Sequence, residues 1–307
     1  MKEYGFEKNK NLVCGENIHQ SATLYNAEFQ VGYDIFGVDL SYNDILNVTV
    51  AVDIVAEFFD VPACSIVKMQ APTGVALGKD IEEAFEKALD CDPINALGSV
   101  VATSNTITKD TAEKIAAIAP EVVVAPNFDE LAINLLKKTS KLVKLNTKLE
   151  EYKNLKNDDI KVTPFGILIQ EKDTQELSKN NFKILTKTKP TPEQIEDAVF
   201  AWKIAKHAKS HAIVVAKDFK TSAIVQGQND MLFAIEHALN KSCENSKDSV
   251  IACDLPLQSK LNIQDIVQGR IALVIQPAGH NNDKEIIKEA DKYKLAMIKT
   301  GVTHQKG

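Results

Sequence analysis

Lys68 closes the apolar run CSIVKM, just before the turn-prone APTG. A lysine at a strand end beside a cleft can stabilise charge or move a proton. An isolated one is more often a solvent-facing strand terminus. His207 and His211 stand four residues apart, late in a helical pattern and at its exit into a strand. That spacing can hold a metal on one helix face, but no third ligand accompanies it and the helical pattern ends between the two. His207 reads equally well as a cation at a helix C-terminus. His19, in the polar turn GENIHQ, reads as a loop histidine. Gly98, Glu121 and Asp254 each adjoin a predicted strand, and singly none implies a reaction.

The elements that must position these residues alternate between helix and strand. Residues 41–59 form an amphipathic pattern, and 80–91 form a helix with acids in its first turn. CSIVKM (64–69) reads as a strand, APTG (71–74) as a turn and VALG (75–78) as a second strand. Further strands are expected at 99–103, 121–126, 141–146, 211–218, 222–227, 249–254, 272–277 and 294–299. Helices are expected at 110–118, at 128–138 and from the Pro-punctuated start at 186–194 to about 210. The first forty residues read as polar loop, and 147–161 as an exposed connection. This alternation predicts an α/β protein.

The segments repeat in order. CSIVKM with its following turn matches HAIVVAKD, SVVATSN matches SVIACDL, EVVVAPNFDE matches ALVIQPAGHN and KLVKLN matches KLAMIK. Ile66 pairs with Ile213, Val100 with Val250, Pro126 with Pro277 and Leu142 with Leu295, at a nearly constant separation of about 150 residues. Four matches in register predict a duplicated β/α unit. The cleft between the halves, or between subunits, is then the expected ligand site.

Composition narrows the classes. The chain has 307 residues, 44% hydrophobic and 25% charged, which fits a two-domain globular protein. Its net charge of −6 gives no general pull on nucleic acid. No apolar run reaches the roughly 18 residues of a membrane span, and the start shows no apolar signal region, so neither membrane nor export is expected. Cysteines 14, 64, 91, 243 and 253 are scattered without a C-x-x-C, which predicts reduced thiols, a cytoplasmic setting and no zinc site. Walker, Rossmann and G-x-S-x-G signatures are absent, as is the H-x-E…P-C-x-x-C set of zinc deaminases. Arg270 is the sole arginine, so phosphate or carboxylate capture falls to lysines and backbone N–H groups.

A longer series of segments carries a resemblance. GENIHQSATLY (15–25), LSYNDILN (40–47), PACSIVK-x-x-x-PTGVALG (62–78), DPINALGSVVA (92–102), EVVVAPNFDE (121–130), WKIAKHAKSHAIVVAKD (202–218), GQ (227–228), IACD (251–254) and VIQPAG (274–279) occur in order. Over residues 12–307 the sequence resembles the transformylase half of the bifunctional aminoimidazole carboxamide ribonucleotide (AICAR) transformylase/IMP cyclohydrolase family. No counterpart of the cyclohydrolase half is recognised.

The resemblance implies two zinc-free cytidine-deaminase-like subdomains, with residues 1–150 as the first, 151–185 as a connection and 186–307 as the second. It implies a homodimer with sites between subunits. It also implies formyl transfer from 10-formyltetrahydrofolate, as co-substrate, to the 5-amine of AICAR, with no metal. Lys68 matches the family's catalytic lysine, and His211 stands where the family has an asparagine. Ser41, Gly98 and Glu121 match nucleotide-contacting positions, and Lys260 stands at an arginine position as a phosphate partner. Asp254, Gly227 and Gln228 match positions on the folate side.

The sequence departs from the family pattern around the chemistry. The catalytic histidine is Met69, and Val13, Met231 and Thr303 occupy arginine positions. Met69 cannot transfer a proton, so His211 is the expected replacement. Turnover is expected to fall well below a pathway enzyme's, since a proton carrier contributes roughly 10²–10⁴-fold. The alternative is a degenerate or respecialised homologue acting as a ligand-binding or regulatory dimer.

Overall fold

A computed structural model of the chain describes residues 5–26, 30–155, 158–177 and 182–307. Residues 1–4 and 27–29, in the predicted polar start, and 156–157 and 178–181, in the predicted connection, lie outside the described residues.

The chain opens with the hairpin β1 (Glu7–Leu12) and β2 (Ala22–Asn26), then β3 (Tyr33–Phe36). The first half continues through α1 (Tyr42–Ala56), β4 (Ala63–Lys68), β5 (Ala71–Leu77), α2 (Ile81–Leu89), β6 (Val100–Thr103), α3 (Lys109–Ala117), β7 (Val122–Ala125), α4 (Glu130–Leu136) and β8 (Lys141–Leu145). A short helix α5 (Leu149–Lys153), the hairpin β9 (Asp158–Thr163) and β10 (Gly166–Glu171), and β11 (Lys183–Ile184) follow. The second half runs α6 (Pro192–Ala205), β12 (Ile213–Lys217), β13 (Lys220–Val225), α7 (Met231–Ser242), β14 (Val250–Cys253), α8 (Lys260–Gln268), β15 (Leu273–Gln276), α9 (Asp283–Lys292) and β16 (Ala296–Lys299).

Local chemistry sets the main helix starts. Ser41 caps α1 in a reciprocal box with Asp44, and Thr191 caps α6 the same way with Gln194, with Pro192 preset in the first turn. The central strands of the large sheet, such as β4 and β12, are short, apolar and buried on both faces, as strands covered by helices must be.

Twelve strands form one mixed sheet in the order β11-β16-β15-β14-β12-β13-β5-β4-β6-β7-β8-β3. The inner ten read the same from either side: a hairpin, then three strands of which the outer two run parallel to their neighbour. The halves join where β13 meets β5, at Lys220 opposite Ala76. There the Thr221 hydroxyl bridges the N–H and C=O of Val75, and Leu77 N–H donates to Phe219 O.

Side chains alternate between faces along each strand. Ala63 and Val67 of β4 and Val214 and Ala216 of β12 face α1 and α6, in a core that crosses both halves. Cys64 and Ile66 face α2, α3 and α4, while Ile213 and Val215 face α7, α8 and α9. The halves are therefore welded by a shared sheet and by a shared core on one face.

Four sequence expectations change. The APTG turn is strand: the hairpin turn is Met69-Gln70, both left-handed at φ 52° and 61°. Pro72 fits in β5 because the ladder slips beside it, between Ile66 and Val67. The polar start contains β1, β2 and β3, whose alternation is too polar to signal a strand. The stretch 147–161 holds α5 and the start of β9. Finally, the repeat register shifts. Val67 pairs with Val100 and Ala216 with Val250, so Ile66 corresponds to Val215, not Ile213. Val122 pairs with Lys141 and Leu273 with Ala296, so Leu142 corresponds to Met297, not Leu295. A slip of two residues keeps every side chain on its face, so hydrophobic pattern cannot detect it.

Candidate functional site

Strand directions decide which candidates meet. β4 ends, and β6, β7 and β8 begin, at one edge of the sheet. Because β5, β13 and β12 alternate in direction, β12 begins and β14 ends at that same edge. Lys68, Gly98, Glu121 and Ser41 gather on the first-half part of this edge. His211, Gly227, Gln228 and Asp254 gather on the second-half part.

In the first group, Lys68 Nζ donates to Leu97 O at 2.8 Å, which leaves two ammonium N–H groups for a ligand. Gly98 follows at φ 66° with open space where a side chain would stand, so a ligand can approach its backbone. Ser41 and Glu121 are linked through a residue that the sequence reading missed. Lys141 Nζ lies 2.7 Å from Asp44 Oδ2 and 3.1 Å from Glu121 Oε1, and Asp44 in turn accepts the Ser41 N–H. Burial works against the Lys141 ammonium, but its two carboxylate partners outweigh that and raise its pKa. Its only sequence signal was its place at the start of a strand. Asn47 was missed too: its Oδ1 accepts Gln70 N–H at 2.6 Å and holds the turn after Lys68. Met69, on that turn, is 83% exposed and offers no proton.

In the second group, His211 Nδ1 lies 2.7 Å from Gln228 O. A carbonyl only accepts, so the neutral ring carries its proton on Nδ1 and presents a bare Nε2. That is the form a general base needs. Gly227, at φ 67°, donates its N–H to Lys209 O and lets the chain turn back beneath the histidine. Asp254 is fully buried and accepts Ala212 N–H at 2.8 Å through Oδ1. Burial raises its pKa, and the nearby Ser210 hydroxyl and His211 oppose part of that rise. The C-terminal tail, also missed, completes the group: Ser210 N–H donates to Lys306 O, and Lys306 N–H to the Ser210 hydroxyl.

Lys260 begins α8, in the segment that follows β14 from this same edge, and pairs with Glu285 of α9 at 3.1 Å. His207 is not an exposed helix-end cation. It is buried with Nε2 3.1 Å from Glu57 Oε1, and burial lowers its pKa. Met231 is 5% exposed and packs in the α7 core, while Val13 is 96% exposed. All five cysteines are free, and burial pushes the Cys64 and Cys253 thiols up. Among the described residues, no three His, Cys, Asp or Glu side chains are grouped to hold a metal, and no helix is long and apolar enough to cross a membrane.

Within one chain, β5 and β13 lie between β4 and β12, so Lys68 and His211 stand three strand spacings apart, roughly 14 Å at ordinary spacing. The edge can hold an extended ligand's charge at Lys68 and Gly98 and accept a proton at His211, provided something spans or closes that gap.

The family described as the AICARFT/IMPCHase bienzyme matches residues 1–241. The chain is 38% identical over 307 residues to the bifunctional purine biosynthesis protein PurH of Caldicellulosiruptor saccharolyticus, covering 96% of this chain and 58% of that protein. It is 38% identical over 309 residues to PurH of a Thermoanaerobacter species, covering 99% and 60%. PurH of Bacillus cereus is 36% identical over 307 residues, covering 98% and 60%. The chain thus spans about three-fifths of the length of these relatives. A family match over residues 1–241 and relatives covering 96% or more of the chain leave one assignment: the chain belongs to the AICARFT/IMPCHase bienzyme family.

Proposed function

We propose that this chain transfers a formyl group from 10-formyltetrahydrofolate to the 5-amine of AICAR, with His211 in place of the histidine that Met69 displaces. The observation that carries this reading is the bare Nε2 of His211, its tautomer set by Gln228 O, on the same sheet edge as Lys68. The amine nitrogen attacks the formyl carbon. His211 Nε2 takes the amine proton and delivers it to the departing N10 as the C–N10 bond breaks. The products are formyl-AICAR and tetrahydrofolate, with no net change at the histidine. Lys68 stabilises the oxyanion that forms in between. Ser41, Gly98 and Glu121 hold the nucleotide, and Asp254, Gly227 and Gln228 shape the folate side. Lys260, half exposed beside Glu285, has N–H groups left for the phosphate.

The same reading treats residues 1–150 and 186–307 as cytidine-deaminase-like subdomains, joined by 151–185, and the chain as a cytoplasmic homodimer. Two copies set edge to edge would bring Lys68 of one beside His211 of the other, which answers the gap within one chain. The test is subunit mixing. Lys68→Ala and His211→Ala should each be inactive alone. Equal mixing after dissociation should restore about a quarter of wild-type turnover, because half the dimers are mixed and each has one intact site. No recovery overturns the shared site.

A second reading, a respecialised homologue that binds a ligand without formyl transfer, is favoured by Met69 and by Met231, which serves the core instead of anchoring charge. Calorimetric binding of AICAR with no turnover in the presence of both substrates would select it.

A further inference from the structure

The backbone on both sides of His211 is backed by the last residues of the chain. Ser210 N–H donates to Lys306 O at 3.0 Å, and Lys306 N–H returns a bond to the Ser210 hydroxyl at 3.1 Å. Ala212 N–H donates to Asp254 Oδ1 at 2.8 Å, and His304 N–H reaches Asp254 O at 3.5 Å. Residues 304–306 thus hold residue 210 directly and residue 212 through Asp254.

The tail itself has little to hold it. Residues 300–307 form no helix or strand, and among 301–307 only His304 is buried. The His304 ring is 5.2 Å from that of Trp202 on α6, centroid to centroid, and its Nδ1 lies 2.6 Å from Asp173 Oδ2. An N–H donated to a carboxylate belongs to the stronger class of hydrogen bonds. Burial works against the Asp173 carboxylate, but the bond from His304 outweighs it and lowers its pKa. Asp173 is fixed in turn. Its Oδ1 accepts Gln175 N–H at 3.1 Å, and its neighbour Lys172 reaches Asp53 Oδ1 of α1 at 3.0 Å.

We infer that Asp173 and His304 are positioning residues for His211: the carboxylate orients the His304 ring, His304 fixes the tail, and the tail holds Ser210 so that His211 Nδ1 meets Gln228 O and Nε2 stays bare. Neither residue reaches the reacting atoms. Without the brace, residues 210–211 loosen, the Nδ1 bond to Gln228 O is made only part of the time, and the proton moves between the two ring nitrogens. The catalytic meaning rests on His211 as the proton acceptor of the proposed transfer, whereas the tautomer can be read with or without turnover.

The experiment records two-bond ¹⁵N–¹H imidazole spectra of the full chain, labelled at histidine, in slightly alkaline buffer. The His211 signal is identified by its loss in His211→Ala. The wild type is expected to show His211 in the Nδ1–H form. Asp173→Ala removes the bond but leaves the His304 ring on Trp202, and should turn His211 into a mixture of tautomers with the thermal midpoint little changed. His304→Ala should do the same. His304→Asn loses the ring but sets an Nδ2–H donor where Nδ1–H stood, and should return the wild-type signal. Turnover should fall at least about tenfold in kcat for Asp173→Ala, with the KM for AICAR within about twofold, because a base displaced by about 1 Å loses up to about 10²-fold. Asp173 is half exposed, so this variant decides the matter even if His304→Ala fails to fold. An unchanged His211 signal in Asp173→Ala, or a signal in His304→Asn as disturbed as in His304→Ala, overturns the inference. A wild type without formyl transfer would instead remove the catalytic reading of His211, and the spectra would still decide the brace.

Discussion

The hairpin turn after Lys68 and the turn after Lys217 are the same device used twice. In each, a lysine ends the first strand, and two left-handed residues turn the chain: Met69-Gln70 in the first, Asp218-Phe219 at φ 53° and 54° in the second. Each lysine donates to a loop carbonyl, Leu97 O at 2.8 Å or Lys247 O at 3.4 Å. A polar side chain from the helix above holds each turn: Asn47 of α1, and Asp197 of α6, which accepts both Asp218 and Phe219 N–H at 3.0 and 2.9 Å. The differences lie in what surrounds them. Beside Lys68 stand Gly98 with empty space above it and a solvent-facing Met69. Beside Lys217 stands Asp248, in a cavity of about 420 Å³ that it shares with Asp218 and Lys220, and Phe219 folds into the common core. The two halves hold two matching frames. Strand direction placed Lys68 on the edge with His211 and Lys217 on the far edge, where Phe219 O accepts Leu77 N–H and Lys220 pairs with Asp90 of the first half.

The largest expected effect tests that asymmetry. Lys68→Ala should lower the proposed formyl transfer by about 10²–10⁴-fold, whereas Lys217→Ala should change it less than about twofold. Steady-state rates with both substrates check this, and equal losses would remove the distinction between the turns.

The next effect is on stability. Asp197→Ala leaves two turn N–H groups without their acceptor and should cost about 2–3 kcal/mol in urea unfolding, against about 1 kcal/mol for Asn47→Ala, which loses one. The carboxyl also carries a pH signature. Burial raises the Asp197 pKa above its ordinary 3.8, despite the two N–H groups and with help from Asp218 and Glu196. The folded state then binds the proton more tightly than the unfolded one. This contribution is fully present below pH 3.8 and is lost as pH rises through the raised value. Asp197→Asn should flatten that slope in urea midpoints measured across acidic to neutral pH.

The smallest effect has opposite signs in the two turns. Gln70→Gly relieves a left-handed non-glycine residue and should stabilise by about 0.5 kcal/mol. Phe219→Gly gains the same relief but loses a ring packed on Phe200, and should destabilise by about 2 kcal/mol. Thermal midpoints of the two variants read the difference directly.

Much of the fold was legible because its signals are local. The apolar strands, the acid-led helix at α2, the Thr-Pro start of α6 and the order of the repeat follow from composition and spacing. Met69-Gln70 was not legible as a turn, because neither residue favours left-handed backbone and only Asn47 and the slipped ladder hold it there. Lys141 was not legible as a site residue either, since its partners Asp44 and Glu121 lie far from it in sequence.

By itself, the sequence determined the α/β class, an ordered repeat of strand segments, the family resemblance and the candidates Lys68, His211, Ser41, Gly98, Glu121, Asp254, Gly227, Gln228 and Lys260. Only the tertiary structure decided that the first eight share one sheet edge in two groups and that Lys260 pairs with Glu285. It also decided that His211 presents Nε2. The physical reason is that a residue's type and spacing act along the chain. Strand direction, register and the acceptor behind a histidine are set by segments that meet only when the sheet closes.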